Sequence, residues 1–160
     1  MKPRIAILIS GGGSNMVSLI NAIKYNKINA LPAIVISNNS NAAGLDKAAD
    51  LDIPTRYIDH RKFSGNREAF EKRLHNLLQD EKIDIICLAG FMRILTKSFI
   101  DQWNNKILNI HPSLLPKYKG LNTHQRAIDA FDKISGCSVH IVTSELDGGF
   151  GIGLKLIDKL

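Results

Sequence analysis

The run Arg4-Ile5-Ala6-Ile7-Leu8-Ile9-Ser10-Gly11-Gly12-Gly13-Ser14-Asn15-Met16 decides the fold. An apolar run without polar alternation reads as a strand covered on both faces, here Arg4 to Ser10. Three glycines end it. Met16, Leu19, Ile20 and Ile23 then recur at i, i+3, i+4 and i+7, the spacing of a helix, with Ser14 as its predicted cap. Strand, glycine turn and helix together open a βαβ unit.

The same rhythm continues outward. Leu31 to Ser37 is a second strand, Ala42 to Leu51 a helix and Pro54 to Ile58 a short strand. Asn66 to Gln79 is a helix with Phe70, Leu74, Leu77 and Leu78 on one face. Ile83 to Ala89 is a fourth strand, apolar apart from Asp84. Thr96 caps a short helix bearing Phe99, Ile100 and Trp103, and Lys106 to Ile110 is a fifth strand. Beyond it come a proline-rich loop, a helix near Thr123 to Phe131 and a strand over Cys137 to Thr143. This order predicts an α/β fold: a doubly wound, mainly parallel sheet with a late antiparallel strand. Ligands of such sheets bind beyond the carboxyl ends of the strands.

A chain of 160 residues suits one domain. Hydrophobic residues at 44% and charged residues at 22% match a globular chain and exclude a disordered or fibrous one. The run Ile83 to Phe91 is far short of the ~20 residues of a membrane span, so no membrane is expected. Met1-Lys2-Pro3-Arg4 leads into a short apolar run followed by glycines rather than a cleavage site, so no signal peptide is expected. Two cysteines, Cys87 and Cys137, make neither a disulfide scaffold nor a metal cluster, and a reducing cytoplasm is the expected setting. Lys and Arg total 21 against 15 Asp and Glu, a net charge of +6, which implies an anionic partner. No basic stripe is interleaved with aromatics, which reach only 6%, so no nucleic acid is expected.

Four constellations carry chemistry. The turn Gly11-Gly12-Gly13-Ser14-Asn15 lets backbone N–H groups approach an anion at a helix start. It is neither the dinucleotide fingerprint nor a Walker loop, so a single phosphate fits it better than a pyrophosphate; a plain tight turn is the other reading. In Asn109-Ile110-His111-Pro112, Asn109 and His111 point to the same side of a strand. An amide donor beside an imidazole suits a reaction that builds an oxyanion and moves a proton. Lys117, Lys119 and Arg126 have no acidic neighbour between His111 and Ile128, so they form either an anion-attracting lip or a solvated basic loop. Glu145-Leu146-Asp147-Gly148-Gly149 puts two carboxylates before a flexible Gly-Gly; from sequence alone it reads first as an acidic turn. His60, His75 and His124 sit in polar stretches that read as exposed, without metal-ligand spacing, so no metal is expected. His140 lies in a strand and could support the site from behind. Cys87 reads as core rather than nucleophile.

Taken together, Ser10 to Asn15, Ala89-Gly90-Phe91-Met92-Arg93-Ile94-Leu95, Asn109 to Pro116, and Glu145 to Gly149 resemble the phosphoribosylglycinamide formyltransferases, a folate-dependent family. The resemblance covers residues 4 to 149. It implies formyl transfer from 10-formyltetrahydrofolate, as co-substrate, to the amine of phosphoribosylglycinamide in purine synthesis. It also implies roles: Gly13, Ser14 and Asn15 on the substrate phosphate; Arg67, Met92, Arg93, Ile94 and Leu95 lining the folate site, with Asn109; and Asn109, His111 and Asp147 in catalysis, Asp147 raising the pKa of His111. Residues 1–105 would then be the nucleotide-phosphate half and 106–149 the catalytic and folate half. Two related families fit less well. Methionyl-tRNA formyltransferases carry a further tRNA-binding domain, and formyltetrahydrofolate deformylases have a second His where Pro112 stands. The tail 150–160 departs from the family pattern, in which another strand and a helix follow. The sequence reading therefore leaves it without an element and reads the chain as shortened or altered after Gly149, with a catalytically impaired remnant as the alternative function.

Overall fold

The structure, a computed structural model, describes residues 1–149 and 151–157. Two compact units divide the chain, Met1–Phe99 and a second beginning at Ile100.

In the first unit, β1 (Arg4–Ile9) pairs in parallel with both β2 (Leu31–Ser37) and β4 (Ile85–Leu88), and β2 pairs in parallel with β3 (Thr55–Tyr57). Parallel neighbours require crossovers. Helices α1 (Ser14–Lys24), α2 (Ala43–Asp50) and α3 (Arg67–Asp80) supply them. Ile7, Leu8, Ile9, Met16, Ile20, Leu74 and Leu78 are fully buried. This is the outcome that the unalternating strand and the helical apolar spacing require. A short 3₁₀ turn, His60–Phe63, precedes α3, and Asn66 caps α3 by accepting the Ala69 N–H at 3.0 Å.

Ser14 is not the cap of α1. Gly13 occupies that position in the left-handed region, φ 68°, and Ser14 is the first helical residue. Gly13 also packs against α2: a Cβ there would lie 3.0 Å from the Gly44 Cα. Close backbone approach selects glycine here, and a serine cap would need the position Gly13 holds.

The division between the units falls within α4 (Lys97–Gln102). In the second unit, β5 (Ile107–His111) pairs antiparallel with β6 (Ser135–Ile141), which pairs antiparallel with β7 (Gly151–Ile157). Helix α5 (Thr123–Asp129) lies between β5 and β6 in the chain. The late antiparallel strand is therefore present as β6. β7 is an addition, because it occupies a tail to which the sequence assigns no element. Gly151 and Gly153 lower strand propensity there, and the cross-strand ladder with β6 overrides it. Phe150 and residues 158–160 of that tail lie outside the described residues.

Candidate active site

The second unit gathers four polar side chains. Strand period places Asn109 and His111 on one face of β5, and the antiparallel register sets His140 of β6 opposite Asn109. Asn109 Nδ2 lies 3.2 Å from His140 Nε2, and His140 Nδ1 lies 3.2 Å from the Ile141 carbonyl oxygen. A proton on His140 Nδ1 satisfies both contacts, with Nε2 accepting from the Asn109 amide. The second Asn109 N–H then remains for an incoming oxygen.

Asp147 closes the cluster. Its Oδ2 accepts the Gly120 N–H at 2.8 Å and lies 3.4 Å from His111 Nδ1, while Oδ1 lies 3.6 Å from His140 Nε2. The carboxylate is 8% exposed, between imidazoles at 6% and 3%. The acidic-turn reading thus holds for Glu145, which pairs with Lys119 at 2.9 Å, but not for Asp147. Sequence spacing alone gives no sign of this. The feature that seats Asp147 is Gly149, where a Cβ would stand 1.6 Å from the Ile141 carbonyl oxygen. Gly149 is there for close packing rather than flexibility.

His111 Nε2 donates to the Tyr118 carbonyl at 2.8 Å. Nδ1 is then the nitrogen able to take up a proton, and it faces Asp147. The loop holding Tyr118 is fixed by its own bonds. Ser113 Oγ donates to the Lys117 carbonyl at 2.5 Å, and Ser138 Oγ, from β6, donates to the Ser113 carbonyl at 2.7 Å. The Leu115–Pro116 bond is cis.

The basic loop is not a free anion lip. Lys117 pairs with Asp132 at 3.0 Å, and the Tyr118 hydroxyl and Lys117 together hold the Asp132 carboxyl below its ordinary range. Arg126 donates to the Lys119 carbonyl at 2.7 Å and sits over the Tyr118 ring. The acidic partners come from outside the loop, so local sequence did not reveal them. A cavity of about 520 Å³ beside this loop is lined by Leu114, Lys117, Tyr118 and Asp132 and contains none of the four clustered side chains.

The first unit holds the glycine turn and the Met92–Leu95 segment. A Cβ on Gly11 or Gly12 would meet nothing within 4 Å, so the interior does not require glycine at either position. Ser14 and Asn15 are exposed at the start of α1. Met92 and Ile94 are 68% and 64% exposed, Arg93 is half-buried and Leu95 is buried. Arg67 is exposed at the first position of α3. A cavity of about 300 Å³ is bounded by Ser10, Asn38, His60, Met92 and Arg93. Arg61, also at its edge, is engaged by Asp59, whose carboxyl that guanidinium lowers to about 2.

Three side chains escaped the sequence reading. His60 is half-buried and bonded to Asn38 rather than solvated, and His75 is half-buried; only His124 is exposed. Glu71 of α3 is buried and accepts the Thr96 N–H at 2.7 Å, and it also accepts the Thr96 hydroxyl. Burial pushes the Cys87 thiol up to about 11, as expected of a core residue. Among the described residues, no group of three or more His, Cys, Asp or Glu could hold a metal ion, and no helix is long and apolar enough to cross a membrane.

A mixed α/β fold with an amide, two imidazoles and a carboxylate converging on strand ends is an arrangement suited to acyl-type group transfer. The chain belongs to the formyl transferase family, which matches residues 3–155 and so runs past Gly149 into β7. It is 49% identical over 148 residues to the trifunctional purine biosynthetic protein adenosine-3 of Bos taurus, covering 92% of this chain and 15% of that protein. It is 48% identical to the phosphoribosylglycinamide formyltransferase of Haemophilus influenzae, covering 91% of this chain and 68% of that one. The phosphoribosylglycinamide formyltransferase structure from Brucella melitensis superposes with a TM-score of 0.94 at 44% identity, covering all of this chain and 82% of that one.

Proposed function

We propose that the chain transfers the formyl group of 10-formyltetrahydrofolate to the amine of 5′-phosphoribosylglycinamide. The observation that carries this reading is the Asn109–His140–Asp147–His111 cluster, built around two buried imidazoles, in a formyl transferase chain. The substrate amine attacks the formyl carbon, and the carbonyl electron pair moves onto oxygen. The remaining Asn109 N–H donates to that oxyanion, and the His111 ring, once protonated on Nδ1, supports it through its positive charge. The amine gives up a proton, the folate nitrogen gains one, and the carbon–nitrogen bond to folate breaks to leave the formamide and tetrahydrofolate. His111 carries the proton, and Asp147 orients the ring and balances its charge. Gly13, Ser14 and Asn15 hold the substrate phosphate at the start of α1. Arg67 and the Met92–Leu95 segment receive the folate, the exposed Met92 and Ile94 giving it apolar contact.

A spectrophotometric assay of folate deformylation, run with the purified chain and glycinamide ribonucleotide, tests the reading. Deformylation that depends on the ribonucleotide and is lost in His111→Ala is expected. Turnover independent of the ribonucleotide, or unaffected by His111→Ala, would overturn it.

A further inference from the structure

Asn38 follows β2, is 4% exposed, and is bonded on both sides. Ser10 Oγ donates to Asn38 Oδ1 at 2.5 Å and accepts the Met92 N–H at 2.7 Å. On the far side, Asn38 Nδ2 lies 3.1 Å from His60 Nδ1, which is also 3.0 Å from the Asn38 carbonyl oxygen. The Met92 N–H can only donate. Ser10 Oγ must therefore accept it and direct its own proton to Asn38 Oδ1, which turns the Asn38 amide nitrogen toward His60. With its proton on Nε2, His60 accepts from that amide through Nδ1, which continues the chain from Met92 to His60; the Asn38 carbonyl oxygen 3.0 Å away receives no proton from that nitrogen in this tautomer.

The other end of the same segment is held separately, by the Glu71 carboxylate on the Thr96 N–H and hydroxyl. Leu95 adds a buried anchor at 7% exposure. Main chain pinned at both ends, with large apolar side chains left in solvent between, is the signature of a preorganised ligand-facing loop.

We propose that His60, Asn38 and Ser10 form a positioning relay that fixes the entry of the Met92–Leu95 segment, with His60 as its remote terminus. The relay sets how tightly that segment receives folate without touching the reacting atoms, and this role rests on the folate reading given above. His60 does not serve merely to satisfy a buried amide. If it did, its loss would be felt at Asn38 and would not reach the Met92 N–H.

Amide hydrogen exchange by NMR on the full chain, unsubstituted and with His60→Ala or His60→Gln, tests the relay without ligand. His60→Ala should speed exchange at Met92 by about fivefold to tenfold, the worth of one hydrogen bond, and leave Thr96 unchanged. His60→Gln, whose side-chain oxygen can accept from Asn38, should restore the slower rate. In turnover, His60→Ala should raise KM for 10-formyltetrahydrofolate, with kcat and KM for phosphoribosylglycinamide held within twofold. Unchanged exchange at Met92, or equal acceleration at Met92 and Thr96, overturns the relay. A relay that responds as expected in a chain that binds no 10-formyltetrahydrofolate overturns the folate role instead.

Discussion

Asp147 is held at φ 50°, two residues before a glycine that cannot accept a side chain. Its placement is thus steric as well as electrostatic, and the two parts can be separated. Asp147→Asn keeps the shape and removes the charge. It should lower kcat by about 10²–10⁴-fold with little change in Tm. Gly149→Ala instead drives a methyl into the Ile141 carbonyl oxygen, so it should cost both activity and stability, read together by turnover and thermal melting. Asn109→Ala removes one oxyanion donor and should cost about 10²–10³-fold in kcat. Cys87 answers to pH. Its ordinary thiol pKa of 9.0 is pushed up to about 11 by burial, so the unfolded chain ionises first. The stability this contributes is full below pH 9 and lost as pH rises toward 11. Cys87→Ala should flatten the fall of Tm across that window.

At the level of elements, the strands and helices of the first unit were legible because each carries its own period. Leu31 to Ser37 matches β2 at both ends, and Asn66 is the cap of α3. What stayed illegible was set by contacts distant in the chain. The Gly13 cap answers to Gly44, the pairing of Lys117 to Asp132, and β7 to its ladder with β6. The site divides along the same line. Asn109 and His111 share a strand face that spacing alone predicts, whereas Asp147 and His140 join them only through tertiary placement, and Asp147 was singled out by resemblance rather than by its neighbours. Glu71 shows how such contacts act on an element. Glu71→Ala would leave the Thr96 N–H and hydroxyl without their acceptor at the start of α4. A loss of about 1–3 kcal/mol in denaturant unfolding is expected, with Glu71→Gln milder.

Across the whole molecule, apolar and polar burial are unequally shared. Among the described residues, the buried hydrophobic ones beyond Phe99 are Ile100, Trp103, Ile107 and Ala127, while His111, Ser113, Thr123, Ser135, Ser138 and His140 are the buried polar ones there. Cohesion is concentrated in the first unit and hydrogen-bonded chemistry in the second. Amides of β1 and β2 should therefore be the slowest to exchange with solvent, and those of β5 and β6 should open at lower free energy. The glycine turn follows from the same separation. Because nothing borders Gly11 or Gly12 on the side a methyl would occupy, and neither has a left-handed φ, alanine at Gly12 removes freedom only from the unfolded chain. Under the proposed function, that methyl would stand where the substrate phosphate approaches. Gly12→Ala is thus a ready-made blank for every assay of this protein: a chain that melts no earlier than its parent, and whose silence toward the phosphorylated substrate cannot be blamed on misfolding.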